Sequence, residues 1–416
     1  MFLYNIGIKL YYFAIWLASF FNAKASLWIS GRKKQRFASF NGSIWFHFAS
    51  LGEFEQGRPI LEAMRERHPG KKIVVTFFSP SGYEIRKNTP LADAVYYLPL
   101  DTAKNARHFI DTIAPEIAVF TKYEYWYHYF SELHKKGVSL YIISGIFRPK
   151  QVFFKWYGGI NRKILTFVSH FFLQDEQSRQ LLHTLGLTNT TVSGDTRFDR
   201  VWANAQQPKQ VPGIAQFKNL QKVFIAGSTW PEDEKLLATL PALYPDWKFI
   251  FAPHEINEEK INNLINLFPA NSVVRYSKWA GNSKFKIQNS KDQTDNSLRV
   301  LIIDNIGMLS SLYAYGDIAH IGGGFGVGIH NTLEAAAFGL PVIFGPNYLK
   351  FNEARELITL KAGFCISNEA QLKGITDSLI TDEAFYSTTS KKIRDYVQEH
   401  TGATQLIMKH ISPLIP

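Results

Sequence analysis

Residues 321–342 read IGGGFGVGIHNTLEAAAFGLPV. An apolar run ends there in a glycine-rich loop, a helical stretch begins at Asn331, and another apolar run follows Pro341. Glycine lets the backbone approach a ligand closely, and a helix N-terminus offers free N–H groups and positive potential to a phosphate. The loop has neither the Gly-Lys-Ser/Thr ending of a Walker loop nor the spacing of a dinucleotide fingerprint. It therefore predicts a strand–loop–helix–strand unit of an α/β fold that binds another kind of phosphorylated ligand.

The same alternation of apolar runs and amphipathic stretches continues along the chain, as in a parallel sheet covered by helices. Strands are predicted at 44–48, 72–77, 117–121, 139–144, 171–173, 222–226, 248–252, 300–303, 317–321 and 341–344. The segment AQQPKQVPG predicts a linker, and residues 271–296 predict an elaborated polar loop. We expect two Rossmann-like halves that face a central cleft, because ligands favour the carboxyl ends of parallel strands. The predicted ranges are a hydrophobic segment at 1–30, a first domain at 31–204, the linker at 205–213 and a second domain at 214–416.

Composition and charge narrow the classes of protein. The chain has 416 residues, 46% of them hydrophobic and 19% charged, so each half can bury a core and disorder is not expected. The single cysteine, Cys365, excludes an internal disulfide and a cysteine-rich zinc site. Residues 1–200 hold 26 Lys+Arg against 15 Asp+Glu, which accounts for the whole net charge of +11. A basic first half indicates an anionic membrane, a phosphorylated substrate or nucleic acid as partner, or merely a soluble basic face.

The N-terminus is apolar and aromatic from Phe2 to Phe21, and basic residues follow it at 24 and 32–36. About 20 such residues can span or lie in a bilayer, and basic residues directly after them favour the cytoplasmic side. A helix of the protein core is one alternative. A cleaved signal peptide is another, since Ala23-Lys24-Ala25 resembles a cleavage site, but the segment lacks a basic start. We expect membrane attachment.

Two carboxylates near strand ends have both a functional and a structural interpretation. Glu334 lies three residues after Asn331, so it either holds ribose hydroxyls of a ligand or forms a capping box with Asn331. Glu53 follows the strand of FHFASLGE, residues 46–53, at the edge expected to face the cleft. It is placed to take a proton from an attacking hydroxyl, with Gly52 keeping the turn open. Alternatively, Glu53 or Glu55 caps the next helix, where acids are favoured anyway.

Other polar groups also follow predicted strands, and their repeated placement favours a site. They lie in the segments TKYEYW, GDTRFD, AGSTW and FAPHE. A cation such as Arg197 is suited to neutralising the charge of a departing phosphate. A metal site is not expected, since HExxH, CxxC, EF-hand and Asp-x-Asp patterns are absent from the sequence.

Six motifs together resemble a known family, the 3-deoxy-D-manno-octulosonic acid (Kdo) transferases of bacterial lipopolysaccharide synthesis. They occur in the family's order and spacing and cover nearly the whole chain: FHFASLGE at 46–53, TKYEYW at 121–126, SGDTRFD at 193–199, AGSTWPEDE at 226–234, APHE at 252–255 and GGGFGVGIHNTLEAAAFGLPVIFGP at 322–346. The resemblance implies a GT-B fold of class α/β and a metal-independent inverting transfer from CMP-Kdo to a phosphorylated lipid A precursor. It implies no cofactor. Together with the apolar N-terminus and the basic residues after it, the resemblance leads us to expect attachment to the cytoplasmic face of the bacterial inner membrane, an anionic surface.

The resemblance also assigns residues. It implies that Glu53 is the general base, that Glu124 and Arg197 assist the transition state, and that Ser50 and Gly52 lie beside the acceptor. The donor-binding residues that it implies are Ser228, Thr229, Pro253, His254, Ile306, Gly307, Met308, Gly322, Gly323, Gly324, His330, Asn331, Thr332, Leu333 and Glu334.

The sequence departs from the family pattern at four positions. Met308 stands where an acid is usual, Ile329 replaces a glycine, Arg197 replaces a lysine, and no arginine precedes His254. Two alternatives stay open: a GT-B enzyme that uses a UDP-sugar on a lipid-linked acceptor, and a membrane-bound scaffold that keeps the fold without catalysis. No recognition motif supports nucleic-acid binding by the basic half.

Overall fold

The computed structural model describes residues 1–281 and 297–415. Contacts divide the chain into two compact units, one of residues 1–200 with 400–416 and one of residues 201–399. Each unit contains a seven-stranded parallel sheet flanked by helices. The α/β class predicted from the alternating runs is therefore confirmed for both halves.

The first unit begins with two helices and continues as a β–α alternation. Its strands are β1 Ser43–Phe48, β2 Lys72–Phe77, β3 Ala94–Tyr97, β4 Pro115–Thr121, β5 Ser139–Gly145, β6 His170–Leu173 and β7 Thr190–Val192, in the order β3-β2-β1-β4-β5-β6-β7. Its helices are α1 Phe2–Ala18, α2 Ala23–Lys34, α3 Leu51–Arg67, α4 Pro80–Arg86, α5 Ala103–Ile113, α6 Tyr127–Lys135, α7 Gly159–Leu165, α8 Glu176–His183 and α9 Thr196–Gln206, the last of which runs into the second unit.

The second unit repeats this architecture. Its strands are β8 Lys222–Thr229, β9 Trp247–Pro253, β10 Val273–Arg275, β11 Val300–Ile302, β12 Ile318–Ile321, β13 Val342–Phe344 and β14 Gly363–Cys365, in the order β10-β11-β9-β8-β12-β13-β14. Its described helices are Ile214–Lys218, Pro231–Leu237, Leu240–Leu243, Glu258–Ile265, Tyr276–Gly281, Leu309–Leu312, Leu333–Ala336, Asn352–Thr359, Glu369–Thr381 and Glu383–Glu399.

The structure matches every predicted strand and adds β3, β7, β10 and β14. It also corrects the loop predicted at 271–296, since Val273–Arg275 is a strand and Tyr276–Gly281 a helix. The rest of that predicted loop up to residue 296 lies outside the described residues. The predicted linker at 205–213 overlaps the end of α9, which continues to Gln206.

The final helix, Ala403–Ile411, belongs to the first unit rather than to the second domain predicted at 214–416. Ile407, Met408 and Ile411 are fully buried in the cluster that also contains side chains of β1 and β2. Asp199 accepts a hydrogen bond from the Thr404 N–H at 2.7 Å and a second from the Thr404 hydroxyl at 2.7 Å. Apolar burial and this capped N-terminus therefore hold the helix on the first sheet.

Helix α1 has two apolar faces with different surroundings. On one face Ile8 is buried, and the Tyr4 hydroxyl donates to Asp101. The other face exposes apolar side chains at a spacing of three and four: Leu3, Ile6, Leu10, Phe13 and Leu17. Among the described residues, no single helix is long and apolar enough to cross a bilayer, although α1 and α2, bent by 120° at their junction, pass that test as a pair. The helix therefore packs on the first unit and also presents an apolar stripe outward.

Candidate functional site

The first candidate centre lies at the switch point of the first sheet, where β1 and β4 are neighbours. Strand β1 pairs with β2 on one side and with β4 on the other, with His47 opposite Phe120. Chain connections leave such neighbouring strands in opposite directions, which opens a crevice at their carboxyl ends. The predicted catalytic residues Glu53 and Glu124 follow β1 and β4 and so belong to this edge of the sheet.

Glu53 lies in the first turn of helix α3, which begins at Leu51, directly after the short turn that follows β1. Ser50 caps the helix by accepting the Glu53 N–H at 3.5 Å, and the Glu53 carboxylate accepts the Ala49 N–H at 2.6 Å. The capping interpretation is thus part of its geometry. Burial, and secondarily the charge of Glu124, raises the pKa of Glu53 to about 8, although the Ala49 N–H and Lys122 favour the ionised form. A carboxyl with a pKa near neutrality is suited to acid–base chemistry, so the two interpretations coexist.

Glu124 acts on Glu53 through its charge and is itself held in place by two contacts. Its Oε2 atom accepts a hydrogen bond from Trp126 Nε1 at 2.9 Å and lies 3.2 Å from His47 Nε2. The side chain is 13% exposed, so these two contacts take up much of the hydrogen-bonding capacity of that oxygen. Because its charge acts on Glu53, Glu124 belongs to the same centre.

Arg197 is held by a buried aspartate at the start of α9. Arg197 Nε donates to Asp195 Oδ2 at 2.8 Å, and Gln56 Nε2 donates to Asp195 Oδ1 at 2.7 Å. Burial alone would raise the pKa of Asp195, but the charges of Arg197 and Lys122 hold it below its usual value. The Arg197 side chain is 29% exposed, so it is both anchored and accessible.

The predicted acceptor positions lie at the same turn. The Ser50 hydroxyl is engaged as the helix cap, and a Cβ at Gly52 would meet only this hydroxyl oxygen, at 3.9 Å. Gly52 therefore faces open space beside Glu53.

The second candidate centre lies at the switch point of the second sheet, between β8 and β12. Ile321 at the end of β12 pairs with Gly227 of β8. Ser228 and Thr229 therefore adjoin the glycine loop. A Cβ on Gly322 would lie 2.2 Å from the Ser228 carbonyl oxygen, and Gly323 has φ of +89°. A Cβ on Gly324 would lie 2.5 Å from the Gly345 nitrogen. The sequence assigned these three glycines to ligand contact, whereas backbone packing already requires glycine at each of them.

Three aromatic rings form a stack beside this loop. The Trp230 and His254 rings lie 5.0 Å apart, and the His254 and His330 rings lie 4.2 Å apart. Trp230 Nε1 donates to His330 Nε2 at 3.1 Å. Burial, and then the neighbouring His254, lowers the pKa of His330, which suits a neutral imidazole that accepts this bond. The stack therefore fixes His254 and His330, two of the predicted donor-binding residues, relative to each other.

A cavity of about 160 Å³ adjoins the stack. Five of the predicted donor-binding residues line it: Ser228, Pro253, His254, Ile306 and Gly307. Met308 is not among its lining residues and instead precedes the short helix Leu309–Leu312. This grouping of residues from β8, β9 and the segment after β11 was not evident from their separations in sequence.

The start of helix Leu333–Ala336 differs from the predicted capping box. Thr332 rather than Asn331 is the capping residue, and Asn331 Oδ1 accepts the Leu333 N–H at 3.1 Å. Asn331 Nδ2 donates to Glu334 Oε1 at 3.1 Å, so the carboxylate accepts a hydrogen bond from a side-chain amide. The side chains of Thr332 and Leu333 are fully buried, so only their backbone groups are candidates for ligand contact.

Comparisons with known proteins agree with this geometry. Residues 24–200 match the family model for 3-deoxy-D-manno-octulosonic-acid transferases (Kdo transferases). A 3-deoxy-D-manno-octulosonic acid transferase of Chlamydophila psittaci is 28% identical over 83% of this chain and 79% of its own length. The proteins of that name from Aquifex aeolicus and Haemophilus influenzae are 26% and 25% identical over 82% and 89% of this chain, and over 86% and 87% of their own lengths. The chain is thus similar to the Kdo transferases over most of its length.

Solved structures support the GT-B fold. A UDP-GlcNAc 2-epimerase from Neisseria meningitidis superposes with a TM-score of 0.62 over 89% of this chain and 100% of its own, at 14% identity. The glycotransferase of kitacinnamycin gives a TM-score of 0.55 over 90% of this chain and 99% of its own, at 12% identity. At such identities the likeness concerns the fold alone. The predicted resemblance to the Kdo transferases, the GT-B fold and the glycosyltransferase class are therefore confirmed.

Two residues of the second candidate centre, Asp233 and Trp230, were missed in the sequence analysis. Asp233 is fully buried, and its Oδ2 accepts the N–H groups of Gly323 and Trp230, each at 2.9 Å, while Oδ1 lies 3.2 Å from His320 Nε2. It therefore ties the glycine loop to the turn after β8. The signal was present in Trp-Pro-Glu-Asp after a strand, since an acid three residues beyond a helix cap closes a capping box.

No group of three or more His, Cys, Asp or Glu side chains within 1–281 and 297–415 is arranged to hold a metal ion. Metal independence stays a prediction.

Proposed function

We propose that this protein transfers Kdo from CMP-Kdo to a lipid A precursor in lipopolysaccharide core biosynthesis, with inversion and without a metal. The observation that carries the proposal is Glu53, a half-buried carboxyl at the switch point of the first sheet, whose pKa of about 8 suits a general base. Similarity to the Kdo transferases supports the sugar that is transferred.

The reaction is a direct displacement. Glu53 takes the proton of an acceptor hydroxyl while its oxygen attacks the anomeric carbon of Kdo. The bond from this carbon to the phosphate oxygen breaks, and CMP leaves with the bonding electrons. Attack from the face opposite CMP inverts the anomeric centre. The Arg197 guanidinium is suited to the charge that develops on the phosphate.

The second unit supplies features suited to a nucleotide. The cavity of about 160 Å³ beside the Trp230–His254–His330 stack combines apolar walls with polar groups, as small-ligand sites do. Asn331 and Glu334, joined by their hydrogen bond, are assigned to the phosphate and the ribose hydroxyls. We expect CMP to occupy this region.

Attachment to the cytoplasmic face of the bacterial inner membrane is part of the proposal. The outward stripe of α1 is apolar, and the basic first half carries the whole net charge of the protein. An apolar helix face together with basic residues is a combination that binds anionic bilayers. The acceptor is itself an anionic lipid, so the same half would meet both.

The first experiment combines detergent-solubilised protein, CMP-Kdo generated in situ and a tetra-acylated lipid A precursor in the presence of EDTA. We expect the lipid to gain the mass of one or more Kdo units. Glu53→Gln should abolish the gain, whereas Glu66→Gln, an exposed position on the same helix, should not. A folded protein that gives no product would refute this donor–acceptor pair, and UDP-sugars would be tested next.

A further inference from the structure

A chain of buried hydrogen bonds leads through the first sheet to Glu124. Trp45 Nε1 donates to Thr76 Oγ1 at 2.8 Å, and Thr76 Oγ1 lies 2.8 Å from His47 Nδ1. On the other side of the imidazole, His47 Nε2 lies 3.2 Å from Glu124 Oε2. Trp45, His47 and Thr76 are all fully buried, and the His47 ring packs 4.8 Å from that of Phe120. Because these three side chains are shielded from solvent, their hydrogen bonds are formed with one another and with Glu124 rather than with bulk water.

The donors and acceptors of the chain select one form of His47. Indole N–H only donates, so Thr76 accepts from Trp45 and keeps one proton to give. If Thr76 gives that proton to His47 Nδ1, the imidazole carries its own proton on Nε2 and donates to Glu124. All three groups are then satisfied by a neutral ring. Burial lowers the pKa of His47, which agrees with that neutral state.

The opposite tautomer is disfavoured by electrostatics. With its proton on Nδ1, His47 would donate to Thr76, whose own proton would turn to the Phe46 carbonyl oxygen at 3.3 Å. The Nε2 lone pair would then face the Glu124 carboxylate without a proton between them. The observed contacts thus favour a neutral His47 that carries its proton on Nε2 and donates it to Glu124.

We propose that His47, oriented by Thr76, is a positioning residue that holds Glu124 in place as the negative neighbour of Glu53 and so sets the pH at which Glu53 accepts a proton. This inference rests on the proposed function, in which Glu53 is the general base. It assigns a task in the reaction to residues of two strands that do not touch the reacting atoms.

The groups around the two carboxyls decide the direction of the expected effects. Glu53 faces Glu124, Lys122 and the Ala49 N–H, and its charge acts on Tyr123 and Tyr125. His47 faces Glu124 and Thr76, with Arg32 of α2 acting on it at longer range. Without the His47 donor, the Glu124 carboxylate loses one of the two contacts that hold it in place, so its negative charge opposes ionisation of Glu53 less strongly. The pKa of Glu53 should therefore fall.

The test is the pH dependence of kcat with CMP-Kdo and the lipid A precursor. In the wild type, kcat should fall on the acid side of its pH profile as Glu53 takes up a proton; we call this fall the acid limb. His47→Leu should move the acid limb to lower pH by about one unit and lower the maximal kcat by about tenfold to a hundredfold. The KM for CMP-Kdo should not change. His47→Gln supplies an uncharged amide N–H in place of Nε2 and should restore much of the wild-type limb. Thr76→Val should shift the limb in the same direction by less than His47→Leu.

A double-mutant comparison separates positioning from general damage. Glu124→Gln should move the acid limb downward by itself, and adding His47→Leu should move it no further. A limb that stays in place in a folded His47→Leu protein that still binds CMP, or a further shift in the double variant, would overturn the inference.

A readout independent of turnover separates this inference from the proposed function. Infrared difference titration, with Glu53→Gln as the blank, reports directly when Glu53 loses its proton. If the wild-type protein transfers no Kdo but Glu53 ionises at lower pH in His47→Leu, the proposed function fails and the positioning role stands. If the wild-type protein transfers Kdo and the titration of Glu53 is unchanged in His47→Leu, the positioning role fails alone.

Discussion

Glu53 carries an energetic cost that follows from its surroundings. An acid whose pKa is raised from 4.5 to about 8 keeps in the folded chain a proton that the unfolded chain has already lost. Between these two pH values the free energy of unfolding should fall as pH rises, because the folded state binds more protons. The group that would perform the chemistry thus opposes folding at high pH.

Glu53→Gln removes this titration and should stabilise the protein above pH 8 by about 3–5 kcal/mol while it abolishes transfer. Near pH 4.5 the variant and the wild type should be equally stable. Denaturant unfolding at several pH values, with Glu66→Gln as the matched control, measures the difference. Equal slopes in the wild type and in Glu53→Gln would show that Glu53 is not held protonated.

Asp233 supports the glycine loop, and its substitution should weaken nucleotide binding. Asp233→Asn replaces an acceptor of two backbone N–H groups by an amide that competes with them as a donor. We expect the Kd for CMP to rise by about tenfold to a hundredfold, the range for hydrogen bonds to a charged group. Calorimetric titration with CMP checks this value, and Glu232→Gln, exposed on the same helix turn, should leave the Kd unchanged.

At this scale the positions of single residues could be predicted from the sequence better than the contacts between them. The positions of Glu53 and Glu124 could be predicted because each residue follows an apolar run, and the ends of parallel strands meet at one edge of the sheet. The Trp230–His254–His330 stack was not, because it joins rings from three separate turns whose contact depends on the folded backbone. The contacts of Thr76 with Trp45 and His47 could not be predicted either, because Thr76 lies inside a strand and belongs to no motif.

Helix α1 illustrates the limit of pattern reasoning for an element. It is apolar nearly all round, so periodicity does not show which side packs on the protein. The structure separates the inner face of Tyr4 and Ile8 from the outer stripe. The alternatives of a membrane helix and a core helix were posed as exclusive, yet the two faces allow one helix to do both.

The outer stripe is where substitution should affect membrane attachment alone. Leu10→Glu with Phe13→Glu removes two exposed apolar side chains, each worth about 1.5–3 kcal/mol when buried, and adds two negative charges. The fraction bound to vesicles of anionic phospholipid should fall by at least about tenfold. Lys209→Glu changes the net charge equally at an exposed position of the other unit and serves as control. Unchanged sedimentation of the double variant with vesicles would contradict the proposed role of α1.

The strands that escaped prediction share a position, because β3, β7, β10 and β14 are the four edges of the two sheets. Edge strands here are three or four residues long and only partly buried. A short, half-exposed strand needs no continuous apolar run, which was the signal used. The central strands, buried on both faces, gave that signal clearly.

At the scale of the whole molecule, the chain forms the first unit, then the second, and then returns to the first unit with the helix Ala403–Ile411. Met408→Ala should destabilise the first unit by about 2–5 kcal/mol, because it opens a cavity in a fully buried cluster. Leu406→Ala, on the exposed side of the same helix, should cost far less. Hydrogen exchange should show faster opening of β1 and β2 in Met408→Ala and no change in β8 and β9. Uniform acceleration in both units would contradict the assignment of this helix to the first.

This return could not be predicted from the sequence, because the helix Ala403–Ile411 is amphipathic like the helix before it and follows that helix directly. Periodicity reports that a helix has an apolar face but not which sheet the face covers. The alternation of elements therefore predicted two α/β halves correctly and assigned the last element to the wrong one.

That returning helix has a consequence for biosynthesis. The first unit needs residues 403–411 to close its core, and a ribosome makes them only after the whole second unit. At about 5–20 residues per second, the roughly 200 intervening residues impose a wait of about 10–40 s. During that interval the first unit is incomplete, and its apolar N-terminal helix is already outside the ribosome, whereas the second unit can finish folding first. Chaperones and the membrane surface would both have access to the first unit before the enzyme is whole.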